Sequence, residues 1–346
     1  MSSVNVASTF SSQPAVQGRC VTTRILHTFE DQSWDLDNWQ RVLSSGDTNT
    51  IFLTPEYQRA WWELFGRGKL LMIVAQQEGE PVALAPLFAD EGMIFFVGSG
   101  GSDYLDFVGD VSDCAVLDSI LDTARCCVPD FVGFRFYHVP DSSATGTLLQ
   151  KSAARLGMKC FDEGDLPAPA LELVITSEAQ SAPTNKKSLR RHERSLRRDG
   201  QLSVEHSSSD EEIAPHLDEF FAQHIERWKD TGYPSLFHDP KQREFYRRLT
   251  SRLGPTGRLR FTRLAWNGRN IAFHFGFCYR GDYLWYKPSF AIDLARWSPG
   301  EVLLRHLLLA AIDEGAETFD FGLGDEAFKS RFATQVNCVR TWGLYP

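Results

Sequence analysis

The sequence predicts two tandem α/β units, each a mixed, mainly antiparallel sheet flanked by helices. Three observations carry that expectation. Gly79 and Gly268 lie 189 positions apart, and the pairs Gly92/Gly281 and Tyr57/Tyr246 share the same offset. Around these anchors one order recurs: a helix, three apolar runs of strand length joined by short Gly-containing turns, a second helix and a further strand. Finally, a strand feeds Ser298-Pro299-Gly300, a sequence suited to a helix start.

The elements follow in chain order. Residues 1–20 are Ser-rich and lack a basic stretch followed by an apolar one, so they read as a disordered arm rather than a secretory signal. The first unit, 21–180, has a helix at 55–65, strands at 70–76, 81–88 and 93–97, a helix at 115–127 and a strand at 131–137. A strand at 171–175 and a polar stretch follow, with a soft boundary near residue 180. The second unit, 181–346, opens on a basic helix at 185–199, and a later helix carries Trp228-Lys229. Then come a helix at 242–253, strands at 259–265, 271–279 and 283–287, a helix at 299–314 and a strand at 318–321. The turn Gly322-Leu323-Gly324-Asp325 closes the repeat.

The 346 residues suffice for two domains, and a composition of 42% hydrophobic and 23% charged residues is that of a globular protein. A net charge of -9 argues against a DNA-wrapping protein. No apolar run approaches the roughly 20 residues needed to span a bilayer. Seven cysteines without a C-x-x-C pair read as reduced thiols, which points to the cytoplasm. No His/Cys cluster has metal-ligand spacing, so no metal is expected. Gly98-Ser99-Gly100-Gly101 lacks the Lys-Ser/Thr ending of a phosphate loop, and Trp61-Trp62 reads as core.

The copies differ at the entry to the late helix. Asp106, Asp110 and Asp113 precede it in the first unit, where they would repel an anion. The second unit places Arg296 ahead of Ser298-Pro299-Gly300-Glu301. Free amides and the positive end of the helix dipole favour an anion there, with Ser298 expected as N-cap and Pro299 at the first helical position. An ordinary capped helix is the competing explanation.

The tail Phe319-Asp320-Phe321-Gly322-Leu323-Gly324-Asp325-Glu326-Ala327-Phe328-Lys329-Ser330-Arg331-Phe332, with the basic helix, Trp228-Lys229 and the second meander, resembles the GNAT acyltransferase superfamily. More narrowly, it is similar to the CelD-type (BioF2-like) acetyltransferases, relatives of the FemA/FemX transferases. The resemblance covers about residues 50–345, weakly in the first half. It implies two tandem GNAT-like units, with acetyl-CoA or another acyl-CoA in the second and direct transfer to an amine or hydroxyl of a small-molecule or glycan-precursor acceptor in polysaccharide biosynthesis. Two alternatives stay open: a FemX-like transferase using aminoacyl-tRNA, and a non-catalytic subunit of a polysaccharide-synthesis complex. Phe328 stands where relatives often carry a Tyr that could protonate the leaving thiolate.

Acyl transfer needs orientation, a route for the nucleophile's proton and stabilisation of an oxyanion. The resemblance places the pantetheine arm along Tyr286 and Lys287, and the pyrophosphate at Arg296 and residues Ser298, Pro299, Gly300 and Glu301. Asp325 and Glu326 are the expected candidates for the base, with a solvated acidic turn or cap an equal expectation. The resemblance makes Lys329 the expected charge stabiliser, although an i, i+4 ion pair with Asp325 would also explain it. His274 and Tyr286 are further catalytic candidates, and for His274 a satisfied core histidine is the commoner outcome. The acceptor is expected to meet Tyr104, Asp106 and Trp228, and the helical face bearing Lys186, Arg190 and Arg194, which a solvated surface would also explain.

Overall fold

A computed structural model describes residues 20–173 and 183–346. The N-terminal arm, apart from Cys20, and the boundary expected near residue 180 lie outside the described residues. The described chain runs β1 (Val21–Leu26), α1 (Leu36–Ser45), α2 (Pro55–Phe65), β2 (Lys69–Gln77), β3 (Glu80–Asp90), β4 (Met93–Phe96), β5 (Val108–Gly109), α3 (Cys114–Cys126), β6 (Gly133–Pro140), α4 (Thr145–Arg155) and β7 (Lys159–Glu172). It continues with α5 (Lys187–Asp199), β8 (Leu202–Ser207), α6 (Leu217–Trp228), α7 (Pro240–Leu253), β9 (Leu259–Trp266), β10 (Arg269–Tyr279), β11 (Asp282–Phe290), α8 (Pro299–Asp313), β12 (Thr318–Asp320) and β13 (Gln335–Tyr345). The strands form one mixed sheet flanked by helices, as the sequence predicted, in the order β1-β2-β3-β4-β6-β13-β7-β12-β11-β10-β9-β8.

The repeat is legible in the backbone. Glu78-Gly79, Glu91-Gly92, Asn267-Gly268 and Arg280-Gly281 all have positive φ at both positions. That is the geometry of a tight hairpin turn whose twist matches its strands, and it recurs at the 189-residue offset. Tyr57 and Tyr246, also 189 apart, are fully buried on α2 and α7, which pack against each other. Phe245 meets Tyr57 edge to face at 5.5 Å, and Tyr246 stacks on Tyr286 at 6.2 Å. One aromatic core therefore joins the two repeats. Glu63 of α2 adds ion pairs to Arg248 and Arg252 of α7 at its rim.

Two strands cross the expected division. The last strand, β13, lies between β6 and β7, so the end of the chain completes the sheet of the first repeat. The sequence reading put a strand at 171–175, whereas β7 runs from Lys159 to Glu172 and pairs with both β13 and β12. Its exposed, charged first half and its prolines hid it. Strand residues direct N–H and C=O to the same neighbour. The carbonyls of Pro167 and Pro169 accept from Gly324 and Phe321, so the missing N–H groups face the irregular tail and β13 loses no bond.

A cleft opens where parallel pairing stops. β11 pairs with β12 only over Asp282–Leu284 and Thr318–Asp320. Beyond Asp320 the chain follows β7 instead. On its other side β11 carries a bulge: Phe275 pairs with Lys287 and Phe277 with Leu284, so Trp285 and Tyr286 oppose Gly276 alone. A bulge bends its strand away from the flat sheet and re-aims the side chains that follow. In the first repeat β4 and β6 likewise pair only over Met93–Phe95 and Gly133–Arg135. Helix α8 floors the second cleft, burying Val302, Leu303, Leu307 and Ala311 against Leu264, Tyr283 and Phe319.

Candidate active site

The cleft beside β11 is a cavity of about 720 Å³, within the usual range for small-molecule sites. Its walls come from β11 (Trp285, Tyr286, Lys287), the start of α8 (Ser298, Gly300, Glu301), the end of α6 (His224, Arg227, Trp228), the tail (Gly322, Glu326, Phe328, Lys329) and Asp103 of the first repeat. A second cavity, of about 1050 Å³, lies between the splayed ends of β4 and β6 in the first repeat and the start of α7 in the second, with aromatic walls including Trp61, Phe95, Tyr137 and Phe245 and the cations Arg67, Arg135 and Lys241. The two cavities share Leu236, Tyr286 and Lys287.

The helix start departs from the expected cap. Ser298 precedes α8 in a left-handed backbone (φ 53°, ψ 50°), and its side chain caps nothing. The 3₁₀ turn Ile292–Trp297 delivers the chain at that angle, and the Ser298 carbonyl accepts from the amides of Glu301 and Val302. Pro299 is at the first helical position, as expected. A Cβ on Gly300 would sit 3.0 Å from the Phe290 ring, so this residue must stay small to keep the wall. Glu301 is held by His192 at 3.0 Å and Arg331 at 2.7 Å. Arg296 is exposed, lies over Trp297 and does not reach the cavity wall. Arg227 does line it, and its guanidinium lies over the rings of Trp228 (4.6 Å) and Phe290 (4.4 Å). Burial lowers its pKa to about 10.

The expected catalytic residues separate into distinct roles. Asp325 is exposed and off the cavity, and the carboxylate that the tail places on its wall is Glu326, the other base candidate. Lys329 pairs with Glu326 at 2.8 Å rather than with Asp325. Its ammonium also donates to the carbonyls of Leu323 (2.7 Å), Gly322 (3.3 Å) and Gly324 (3.5 Å). Three N–H donors are spent on that turn and on Glu326, so Lys329 is a clamp rather than a free charge. The expected i, i+4 pair is corrected to i, i+3, because a 3₁₀ turn at Lys329–Arg331 follows Phe328 instead of an α-helix.

His274 is fully buried and off the cavity, so the expectation of a base there is also corrected. Its Nε2 accepts the Tyr286 amide at 3.3 Å, and burial depresses its pKa to about 3. It is a neutral plug over Gly276, where any Cβ would come within 2.3 Å of the imidazole. The Tyr286 hydroxyl donates to the Gly101 carbonyl at 2.8 Å and lies 3.3 Å from the Tyr57 hydroxyl. Burial raises its pKa well above the phenol range.

The acceptor residues are redistributed. Asp106 is buried 58 positions away in sequence from its partner Thr48, accepting from Thr48 (2.6 Å), Thr145 (2.7 Å) and the Phe107 amide (2.8 Å). It braces the first repeat and lines neither cavity, correcting its assignment to an acceptor cleft. Its neighbour Asp103 is the one that reaches the site. Tyr104 hydrogen-bonds Asp320, whose carboxyl also accepts the Gly322 amide at 2.8 Å. Burial with two nearby carboxylates raises the Asp320 pKa to about 7. Trp228, expected at the acceptor, lines the cavity beside β11 and α8 and not the second one, and its indole N–H has no partner among the described residues.

On α5, the Lys186 ammonium donates to the Arg331 carbonyl and lies over Phe332, while Arg190 and Arg194 are exposed. Helix α5 packs on α8 with Leu189, Glu193 and Leu196 buried, and neither Arg190 nor Arg194 lines either cavity. Sequence reasoning missed Arg227 and Asp103, and it named Lys287 only for the strand along the pantetheine arm, not for its side chain. Arg227 adjoins Trp228 and Asp103 adjoins Tyr104, yet only the fold turns those neighbours toward the cavity.

Comparison with known proteins now bears on the chain. Residues 184–330 match the family model of an acetyltransferase (GNAT) domain. The second repeat therefore carries a GNAT acetyltransferase-like domain, and α5, the bulged β11, α8 and the tail all fall within it. Among solved structures, FemX is similar over 90% of this chain and 96% of its own, with a TM-score of 0.64 and 10% identity. L-PGS from Bacillus licheniformis is similar over 90% of this chain and 91% of its own (TM-score 0.55, 13% identity). A tandem GNAT protein from the clavulanic acid biosynthesis pathway is similar over 93% of this chain and 98% of its own (TM-score 0.53, 11% identity). Identities this low speak to the fold, and that fold is a GNAT-like tandem. No curated protein matches the chain.

Among the described residues, no helix is long and apolar enough to cross a membrane, and no group of three or more His, Cys, Asp or Glu side chains is placed to hold a metal.

Proposed function

We propose that the protein is an acyltransferase that holds an acyl-CoA in the cavity of the GNAT-like repeat and an amine or hydroxyl acceptor in the second cavity. The observation that carries this reading is the wall common to both: Tyr286 in the β11 bulge and Lys287 just after it line the two cavities together. Two substrates entering by the two cavities would meet there, which supplies the proximity that direct transfer requires. The donor cavity suits a pantetheine arm, with apolar walls at Trp285, Phe321 and Phe328 and Arg227 for an anionic group. Aromatic walls and cations in the other cavity suit a sugar or glycan precursor with an anionic substituent. Polysaccharide biosynthesis is the setting that fits such an acceptor.

The test is thermal and calorimetric. A ligand that binds only the folded state raises its melting temperature by mass action, so millimolar acetyl-CoA should raise it measurably. A second reading, transfer from aminoacyl-tRNA, is favoured by the exposed Arg190 and Arg194 beside α8. It takes over if acetyl-CoA gives neither a shift nor heat while charged tRNA binds.

A further inference from the structure

Among the cations of the donor cavity, Lys329 is clamped and Arg331 is paired with Glu301. Lys287 is different. It is the lysine that both cavities share, its Nζ stands 3.9 Å over the Tyr286 ring, and among the described residues it makes no hydrogen bond or ion pair. An ammonium has three donors and no means of accepting, so an aromatic face alone leaves hydrogen-bonding capacity free.

The backbone fixes where that capacity is spent. His274 holds the Tyr286 amide and the bulge places Lys287 opposite Phe275, while the Tyr286 ring beneath the ammonium is pinned by its hydroxyl to Gly101. A lysine on a rigid strand, with its head at the junction of two cavities, is organised before any substrate arrives.

We propose that Lys287 is a catalytic residue whose ammonium stabilises the oxyanion formed at the junction, with Asp103 as the proton acceptor. This inference rests on the acyl-CoA reading above. The acceptor's lone pair forms the new C–N or C–O bond at the thioester carbon, and the carbonyl electron pair moves onto oxygen beside the Lys287 Nζ. Collapse re-forms the carbonyl and breaks the C–S bond. The proton lost by the nucleophile passes to the Asp103 carboxylate and then to the departing thiolate, so charge and protons balance. Asp103 is suited to this part. It lines the donor cavity, and its Oδ2 would lie 2.9 Å from a Cβ at Gly322, a position with φ 68° that glycine adopts without strain. Burial disfavours the charged form of Lys287 and the charge of Lys329 adds to that, while the carboxylates of Asp103 and Glu326 oppose them, leaving a pKa below the usual lysine value.

The experiment compares wild type, Lys287→Met and Lys287→Arg. Release of CoA thiol from acetyl-CoA is followed with D-glucosamine 6-phosphate as an anionic amino-sugar probe, and with water alone. Acetyl-CoA binding is measured by calorimetry, and melting temperature checks the fold. Removing one oxyanion donor costs on the order of a hundredfold in turnover. Lys287→Met should therefore lose about that factor in kcat with either nucleophile, while its affinity for acetyl-CoA changes less than about threefold. Lys287→Arg should recover part of the loss. The wild-type rate should also fall at alkaline pH as the ammonium deprotonates, and Lys287→Arg should lack that limb because a guanidinium stays charged.

Folded Lys287→Met that binds acetyl-CoA and turns over like wild type overturns the role of Lys287 and leaves the acyl-CoA reading standing. Wild type that does not bind acetyl-CoA overturns that reading, and the inference with it. Wild type that binds acetyl-CoA yet releases no thiol with amino sugar or water overturns both.

Discussion

The imidazole of His274 accepts the backbone N–H of Tyr286 at 3.3 Å across the β10–β11 bulge. A bulge leaves ladder groups without strand partners, and a buried orphan amide costs about 1–3 kcal/mol. His274 meets that need and thereby fixes the segment that lines both cavities. Replacing it by Ala should remove the acceptor and leave a hole against Gly276. A loss of about 2–4 kcal/mol is expected from those two terms, read from urea unfolding.

The same histidine sets a pH dependence. Its folded pKa, about 3, lies below its unfolded value near 6.5, so between those limits the unfolded chain binds the extra proton. Its contribution is complete above pH 6.5 and is lost as pH falls toward 3. His224, also depressed to about 3, acts in the same direction. His274→Gln, which retains an acceptor, should flatten the decline between pH 6.5 and 4 relative to wild type. Equal slopes in the two proteins would mean that His274 is not neutral in the folded state.

Asp320 works in the opposite sense. Its folded pKa of about 7 exceeds the ordinary carboxyl value, so the folded protein holds the extra proton between about pH 4 and 7. Stability from this group is present at low pH and is lost as pH rises through 7. Asp320→Asn, which stays neutral, should raise the melting temperature at pH 8 and change it little at pH 4.5. A lower melting temperature at pH 8 would instead show that the ionised carboxylate holds the Tyr104 hydroxyl and the Gly322 amide.

Much of this arrangement was legible in the residues, for reasons tied to period and spacing. The 189-residue repeat exposed the four matching turns and the Tyr57/Tyr246 pair because hairpin turns and buried aromatics constrain local chemistry. Pro299 and Gly300 marked the true start of α8. What stayed hidden depends on long-range geometry. β13 inserts between strands nearly 20 positions apart in chain order, β6 and β7, from almost 170 residues downstream, and no local pattern announces such pairing. The tail looked like an α-helix in which Asp325 and Lys329 share a face, but Gly322 and Gly324 bend it into a turn whose carbonyls consume the lysine. Conversely Lys287 was legible only as part of the strand expected along the pantetheine arm, and it is the bulge that sets its head between two cavities.

The clamp assigned to Lys329 makes a prediction opposite to a catalytic role. Lys329→Met keeps the buried stem and deletes donors to the carbonyls of Gly322, Leu323 and Gly324 and to Glu326. Unsatisfied carbonyls at a buried turn should cost about 1–3 kcal/mol in unfolding free energy. At a temperature where the variant is fully folded, turnover should fall much less than for Lys287→Met. A hundredfold loss in a folded Lys329→Met would return the charge stabiliser to the tail.

The last prediction concerns the donor. Gly300 faces the Phe290 ring with room for a Cβ only at 3.0 Å, and Phe290 in turn backs the Arg227 guanidinium. Gly300→Glu adds bulk and negative charge where α8 presents its positive dipole end, so it should abolish stabilisation by acetyl-CoA. Arg227→Ala should weaken the same binding without placing an acid in the cavity. Arg190→Glu/Arg194→Glu leaves both cavity walls intact and changes only the exposed face of α5. For a donor the size of acetyl-CoA this double variant should lose little affinity, and that small loss should vanish at high salt, where charges beyond the Debye length are screened. A polyanionic donor such as tRNA would instead lose most of its affinity at low salt, because many phosphates contribute. Measuring the three variants against both donors by calorimetry at two ionic strengths assigns the basic helix. Strong dependence on Arg190 and Arg194, with indifference to Gly300→Glu, would move the donor site from the α8 cleft to the surface of α5.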